Sequence, residues 1–140
     1  MPSTMRCEIV SAEREIYSGD VTMLVATGTL GELGIMPGHT PLLTGLKPGP
    51  VRLRMEDGEE DVFFASGGFL EVQPNVVTIL ADTAERADSI DDAEAAEAAE
   101  AARRAMSEAA ADMDYSRATA MLADATARQR TVEELRRRRR

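Results

Sequence analysis

The 140-residue chain is predicted to fold as a β + α protein, an antiparallel β-sandwich or flattened barrel followed by a two-helix hairpin. Three observations predict it. Apolar residues alternate at period two up to about Ala84, the pattern of half-buried strands. Turn residues punctuate that first part at short intervals. After Asp82 the composition changes abruptly: alanine dominates, and glycine and proline disappear.

The strands are legible as faces. Met5, Cys7 and Ile9 share one side of the first alternating segment. Val51, Leu53 and Met55 oppose Arg52, Arg54 and Glu56, and Leu70 and Val72 oppose Glu71 and Gln73. Val77, Ile79 and Ala81 form a further apolar face. Turns are expected at Ser18-Gly19-Asp20, Pro48-Gly49-Pro50, Asp57-Gly58 and Pro74-Asn75. Short strands with no helix between them point to a sandwich or flattened barrel. The paired glycines Gly67-Gly68 mark a bulge or a close backbone approach.

The helices are expected at residues 90–110 and from Tyr115 into the arginine run, with a break around Asp112-Met113-Asp114. Ser89 followed by Asp92 reads as an N-cap with an acid three residues on. Acidic residues crowd the start of the first helix, and Arg103 and Arg104 sit toward its end, as the helix dipole favours. Ala95, Ala98, Ala102, Ala105 and Ala109 repeat at 3-4 spacing, as do Tyr115, Ala118, Leu122, Ala125, Gln129 and Val132. Two such stripes joined by a short link predict an antiparallel hairpin. An alanine seam brings the helices close but holds them weakly. Each alanine buries three fewer carbons than leucine, about 2 kcal/mol less at about 0.8 kcal/mol per methylene. The predicted division is a sandwich over residues 1–87 and a weakly attached, mobile hairpin over residues 88–140, to which the family resemblance given below adds a regulatory role.

Composition narrows the function. The net charge of −9 argues against generic nucleic-acid binding. Cys7 is the single cysteine and reads as a small buried core residue; His39 is the single histidine. That inventory leaves no multi-residue Cys/His metal site and little material for a nucleophilic triad. No phosphate-binding loop of the form Gly-x-x-x-x-Gly-Lys-Ser/Thr is present. No catalytic residue, metal site or cofactor is therefore expected. With no apolar run of membrane-spanning length and no signal segment, the chain is expected in the cytoplasm.

The most telling stretch is Gly31-Glu32-Leu33-Gly34-Ile35-Met36-Pro37-Gly38-His39-Thr40-Pro41-Leu42-Leu43-Thr44. Its density of glycine and proline predicts a shaped, partly exposed loop with Glu32, Met36 and His39 as polar and apolar contact points. Together with Leu46-Lys47-Pro48-Gly49, it resembles the signature of the epsilon subunit of bacterial F-type ATP synthases. A second block, Ala65-Ser66-Gly67-Gly68-Phe69-Leu70-Glu71-Val72-Gln73-Pro74 running on to Leu80-Ala81-Asp82-Thr83-Ala84, is similar to the same family, and the likeness covers nearly the whole chain.

The resemblance implies a sandwich of about ten strands and a non-catalytic rotor subunit. The sandwich would bind the gamma subunit and the membrane ring, coupling the catalytic head to proton translocation, with Glu32, Met36 and His39 as contact candidates. The last helix would reach the catalytic alpha/beta subunits through Arg128, Arg130, Arg136 and Arg137 and restrain ATP hydrolysis. Residues 128–140 hold seven arginines against two glutamates, which suits carboxylate partners. The place implied is the cytoplasmic face of a bacterial inner membrane, held there by the complex.

Some members of the family bind ATP through Ile/Leu-Asp-x-x-Arg-Ala at the start of the first helix. Here the positions read Ile90-Asp91-Asp92-Ala93-Glu94-Ala95. Glu94 replaces the arginine and would repel phosphate, so no tight ATP binding is expected. The alternatives to a rotor subunit are an ATP-sensing module and a free-standing adaptor with a coiled-coil arm.

Overall fold

Ten strands and two long helices make up the computed structural model, which describes residues 3–138. The strands are β1 (Met5–Ser11), β2 (Glu15–Val21), β3 (Met23–Gly28), β4 (Gly31–Ile35), β5 (Leu42–Leu46), β6 (Gly49–Arg54), β7 (Glu60–Ala65), β8 (Gly68–Val72), β9 (Val76–Ala81) and β10 (Ala84–Arg86). A 3-10 turn at Ala87–Ser89 leads into α1 (Asp92–Glu108) and α2 (Asp112–Arg138).

Hydrogen bonding runs in the order β10-β7-β6-β3-β5-β8-β9-β1-β2, with β4 beside β3. The β3–β5 step has the single register pair Gly28 to Leu46, so the sheet folds there into two layers. Ile9, Leu24, Ile35, Leu53, Phe63, Leu70 and Ile79 fill the space between the layers, each at most 1% exposed. Tyr17 on β2 meets Phe63 on β7 edge to face at 5.5 Å, so the far edges also approach. The result is a nearly closed ten-strand sandwich with a helical hairpin, as expected.

One pair departs from the antiparallel expectation. β1 runs parallel to β9 while pairing antiparallel with β2. Alternation reports which face a residue takes and is silent on strand direction. Ser18-Gly19-Asp20 is not a turn but the middle of β2, where Gly19 lies opposite Cys7. A Cβ on Gly19 would sit 2.6 Å from the Tyr17 hydroxyl, so glycine there makes room for the Tyr17 ring. The Gly67-Gly68 reading holds: both have positive φ, and a Cβ on Gly68 would lie 2.0 Å from the Leu80 carbonyl oxygen.

The hairpin forms with shifted boundaries. α1 is capped by Asp91, whose carboxylate accepts the Glu94 amide at 3.1 Å, rather than by Ser89. It ends at Glu108, so Arg103 and Arg104 fall short of its last turn. α2 starts at Asp112, three residues earlier than expected, because Asp112 and Asp114 suit the positive end of its dipole. The break instead falls at Ala109, whose backbone is extended.

The α1 seam is Ala95, Ala99 and Ala102, with Ala98 and Ala105 exposed. On α2, Ala118, Ala125 and Val132 are buried as expected, whereas Tyr115 is 49% exposed. α1 packs against α2, and α2 packs against β6 and β7. Ala127 and Thr131, off the expected stripe, are also buried on α2; the Thr131 hydroxyl donates to the Ala127 carbonyl at 2.8 Å.

Candidate docking surfaces and the interhelical cleft

The expected loop at residues 31–44 is mostly strand. Residues 31–35 form β4, which pairs only with β3, and β5 begins at Leu42, leaving residues 36–41 as the loop. Gly31 opens the edge strand at a φ of 135°, a backbone conformation that favours glycine, and beside Gly34 nothing packs where a side chain would be. Glu32 and Met36 share the outward parity of β4, while Ile35 enters the core at 1% exposure. The Glu32 carboxylate lies 3.7 Å from the Arg52 guanidinium, and Met36 is 60% exposed. The loop is pinned: the Gly38 amide donates to the Pro74 carbonyl at 2.9 Å and the His39 amide to the Met36 carbonyl at 3.2 Å. The His39 ring stays near its own backbone, with Nδ1 2.7 Å from the Thr40 carbonyl. The three expected contact residues therefore lie on one edge of the sandwich, on a strand and the loop after it.

A second surface lies outside the residues expected from the sequence. Phe69 on β8 lies opposite Leu80 on β9 and Gly45 on β5, and Leu80 lies opposite Val10 on β1. Leu43 stands on the same outward face, two residues from Gly45 on β5. Leu43, Phe69 and Leu80 are 67%, 55% and 44% exposed. This apolar row crosses four strands of one layer, while α2 covers the outer face of β6 and β7 in the other. The signal for it is the apolar pairs Leu42-Leu43, Phe69-Leu70 and Ile79-Leu80, where one member of each must face outward.

The residues of the degenerate nucleotide motif come together in a cleft of about 610 Å³ between the start of α1 and the middle of α2. Ile90, Ala95 and Met121 give it apolar lining, and Asp91, Glu94 and Arg117 line it with charge. Glu85, Asp124 and Arg128 also line it, and they are already bound to one another. Four carboxylates against two guanidiniums make its lining acidic, and Asp91 is committed to capping α1.

The arginines expected to meet a partner are turned onto the chain itself. Arg128 pairs with Glu85 and, through Nε, with Asp124 at 3.0 Å; its guanidinium also lies 4.5 Å from the centre of the Phe64 ring. Arg130 donates to the Pro48 carbonyl at 3.4 Å. Arg136 donates to Asp92 at 2.6 Å, tying the end of α2 to the start of α1, and Arg137 donates to Glu134 at 3.4 Å. Arg139 and Arg140 lie outside the described residues.

A family model described as ATP synthase, Delta/Epsilon chain, beta-sandwich domain, matches residues 4–87. The chain belongs to that family. A delta/epsilon chain is a non-catalytic central-stalk subunit of an F-type ATP synthase, and its partners are other subunits of that complex. The fold likeness extends over the helices of this delta/epsilon chain as well. A chain in the cryo-EM structure of the Euglena gracilis mitochondrial ATP synthase (OSCP/F1/c-ring, rotational state 1) is 24% identical with a TM-score of 0.83, covering 97% of this chain and 82% of that one. A chain in the Tetrahymena thermophila mitochondrial ATP synthase (central stalk and c-ring) is 16% identical with a TM-score of 0.59, covering 91% and 96%. At these identities the two structures establish the fold alone. Among the described residues, no helix is long and apolar enough to cross a membrane.

Proposed function

We propose that the sandwich, residues 1–87, is the anchor of this subunit and couples the catalytic head to the membrane ring. The outward row of Leu43, Phe69, Leu80 and Val10 docks the gamma subunit, and the edge carrying Glu32, Met36 and His39 faces the ring. The observation that carries this reading is the row itself: three large apolar side chains left in water on adjacent strands, opposite the face that the hairpin covers. Burying each against a partner is worth up to about 1.5–3 kcal/mol. The subunit thereby takes part in proton transport and sits at the cytoplasmic face of a bacterial inner membrane, held there by the complex.

The hairpin, residues 88–140, is the regulatory part of the proposal. When released from the sandwich it reaches the catalytic alpha/beta subunits, and Arg128, Arg130, Arg136 and Arg137 meet carboxylates there and restrain ATP hydrolysis. An inserted helix of this kind favours one rotor position only through contacts it makes better there than elsewhere.

Docking is tested by Phe69→Asp with Leu80→Asp in full-length chain, added to a catalytic complex depleted of this subunit. Co-elution with the complex is expected to fall at least a hundredfold in apparent affinity, about 2.7 kcal/mol. Undiminished binding by a folded double variant would move the gamma-facing surface elsewhere.

A second reading, an ATP sensor, has the cleft in its favour. Its acidic lining opposes phosphate, so a calorimetric titration is expected to show no micromolar ATP binding, and micromolar binding would reinstate it.

A further inference from the structure

We propose that Arg128 and Arg138 are a two-point latch that holds the hairpin on the sandwich, so that the docked hairpin keeps its own arginines from an acidic partner. Four observations converge on it. First, α1 packs against α2, so the attachment of the hairpin to the strands runs chiefly through α2 on β6 and β7.

Second, the fully buried side chains that flank Arg128 on α2 are small, Ala127 and Thr131. Third, Arg128 bonds across the junction to Glu85 on β10 and stacks at 4.5 Å on Phe64 of β7. Asp124, four residues earlier on α2, holds the same guanidinium through Nε at 3.0 Å and fixes its direction.

Fourth, Arg138 brings Nε within 2.9 Å of Glu60 Oε2 at the start of β7, ten residues further along α2. That oxygen is buried and has no well-aligned hydrogen bond, so the ion pair with Arg138 is what compensates it. Arg54 approaches the other oxygen of Glu60 at 3.2 Å. The side chains of both latch arginines are about 30% exposed, against 57% for Arg136 and 64% for Arg137. Their pairs are therefore shielded more than ordinary surface pairs and hold correspondingly better.

The two states then compete for the same guanidiniums. Docked, Arg128 and Arg138 satisfy Glu85, Asp124 and Glu60. Released, Arg128 keeps Asp124 and Arg138 keeps Glu134, both on α2, and their remaining donors open to carboxylates on another subunit, while Glu85 is left to water and Glu60 keeps Arg54 alone. Removing the latch carboxylates favours release without touching the arginines that would act on a partner. The consequence for hydrolysis rests on the hairpin reading above; the latch itself rests on the intramolecular geometry.

Hydrogen exchange of the full-length chain tests it. In the double variant Glu85→Gln, Glu60→Gln, the α2 amides are expected to exchange about tenfold faster than in the unaltered chain, the effect of losing a charge-assisted hydrogen bond at a shielded site. Sandwich core amides should hold their rates, and Glu94→Gln, in the cleft lining outside the latch, should change nothing. About 1 M salt should speed α2 exchange in the unaltered chain and add little in the double variant. If the double variant also loosens the sandwich, Arg128→Gln with Arg138→Gln asks the same question from the helix side. α2 exchange within twofold of the unaltered chain in both pairs of variants overturns the latch. If exchange rises as expected while hydrolysis by the complex is unaffected by the hairpin, the latch stands and the brake falls.

Discussion

Between the layers of the sandwich sit Phe63, Ile9, Leu24, Leu53, Leu70 and Ile79; between α1 and α2 sit Ala95, Ala99, Ala102, Ala118 and Ala125. The two interfaces differ in the carbon each position buries, by about 2 kcal/mol wherever an alanine stands in place of a leucine. Strand pairing adds hydrogen bonds along the whole sandwich order, whereas the hairpin reaches the sandwich through one helix and a few arginines. The sandwich is thus built to persist and the hairpin to be held. Ion pairs suit a reversible attachment, because the released groups are readily taken up by water or by another set of carboxylates.

Phe63→Ala should have the largest effect and mark the sandwich as the stable unit. The ring is fully buried against Tyr17 and under Arg86, and its loss is expected to cost about 3–5 kcal/mol in denaturant unfolding. A cost below about 1 kcal/mol would mean that the sandwich does not dominate. Cys7 gives a second handle on the same core. Burial pushes its thiol up to about 12 from an ordinary 9.0, with Glu8 adding to the rise. The folded-state value lies above the unfolded one, so this group's contribution is intact below about pH 9 and is lost as pH rises toward 12, at up to about 1.4 kcal/mol per pH unit. Melting measured across that range should decline less steeply in Cys7→Ala. An identical decline in the two chains would place the alkaline sensitivity elsewhere.

The smallest effect belongs to the hairpin. Asp91→Ala removes the carboxylate that caps α1 and should cost that helix about 1 kcal/mol. The change should appear as faster exchange in α1 with the sandwich unmoved. Equal loosening of both regions would show that the two fold as one cooperative unit, against the contrast drawn between them.

How much of this was legible follows from the same chemistry. Alternation identified the inward faces of β1, β6, β8 and β9, and Gly67-Gly68 announced the close approach that positive φ permits. Glycine also misled. Gly31 and Gly34 suggested a loop, but they lie in an edge strand with open space beside it; Gly19 suggested a turn, but it clears the Tyr17 ring. Sequence pattern distinguishes none of these uses. The hairpin register was illegible because alanine occupies nearly every position of α1 between the acids, so stripes through Ala98 and through Ala99 read equally well. Its break falls among Ala109, Ala110 and Ala111, residues of high helix propensity, and tertiary packing of α1 on α2 decides it. The arginines were legible as a charged run, but their partners Glu85, Asp92 and Glu60 are more than 40 residues away and became visible only in three dimensions.

The most direct measurement is ATP hydrolysis by a catalytic complex depleted of this subunit, after adding back either the full-length chain or a truncation ending at Asp88. Both are expected to bind, with suppression by the full-length chain and none by the truncation, which makes the sandwich the anchor and the hairpin the brake. Equal hydrolysis with both bound would contradict it and leave the chain a coupling subunit whose hairpin does not regulate.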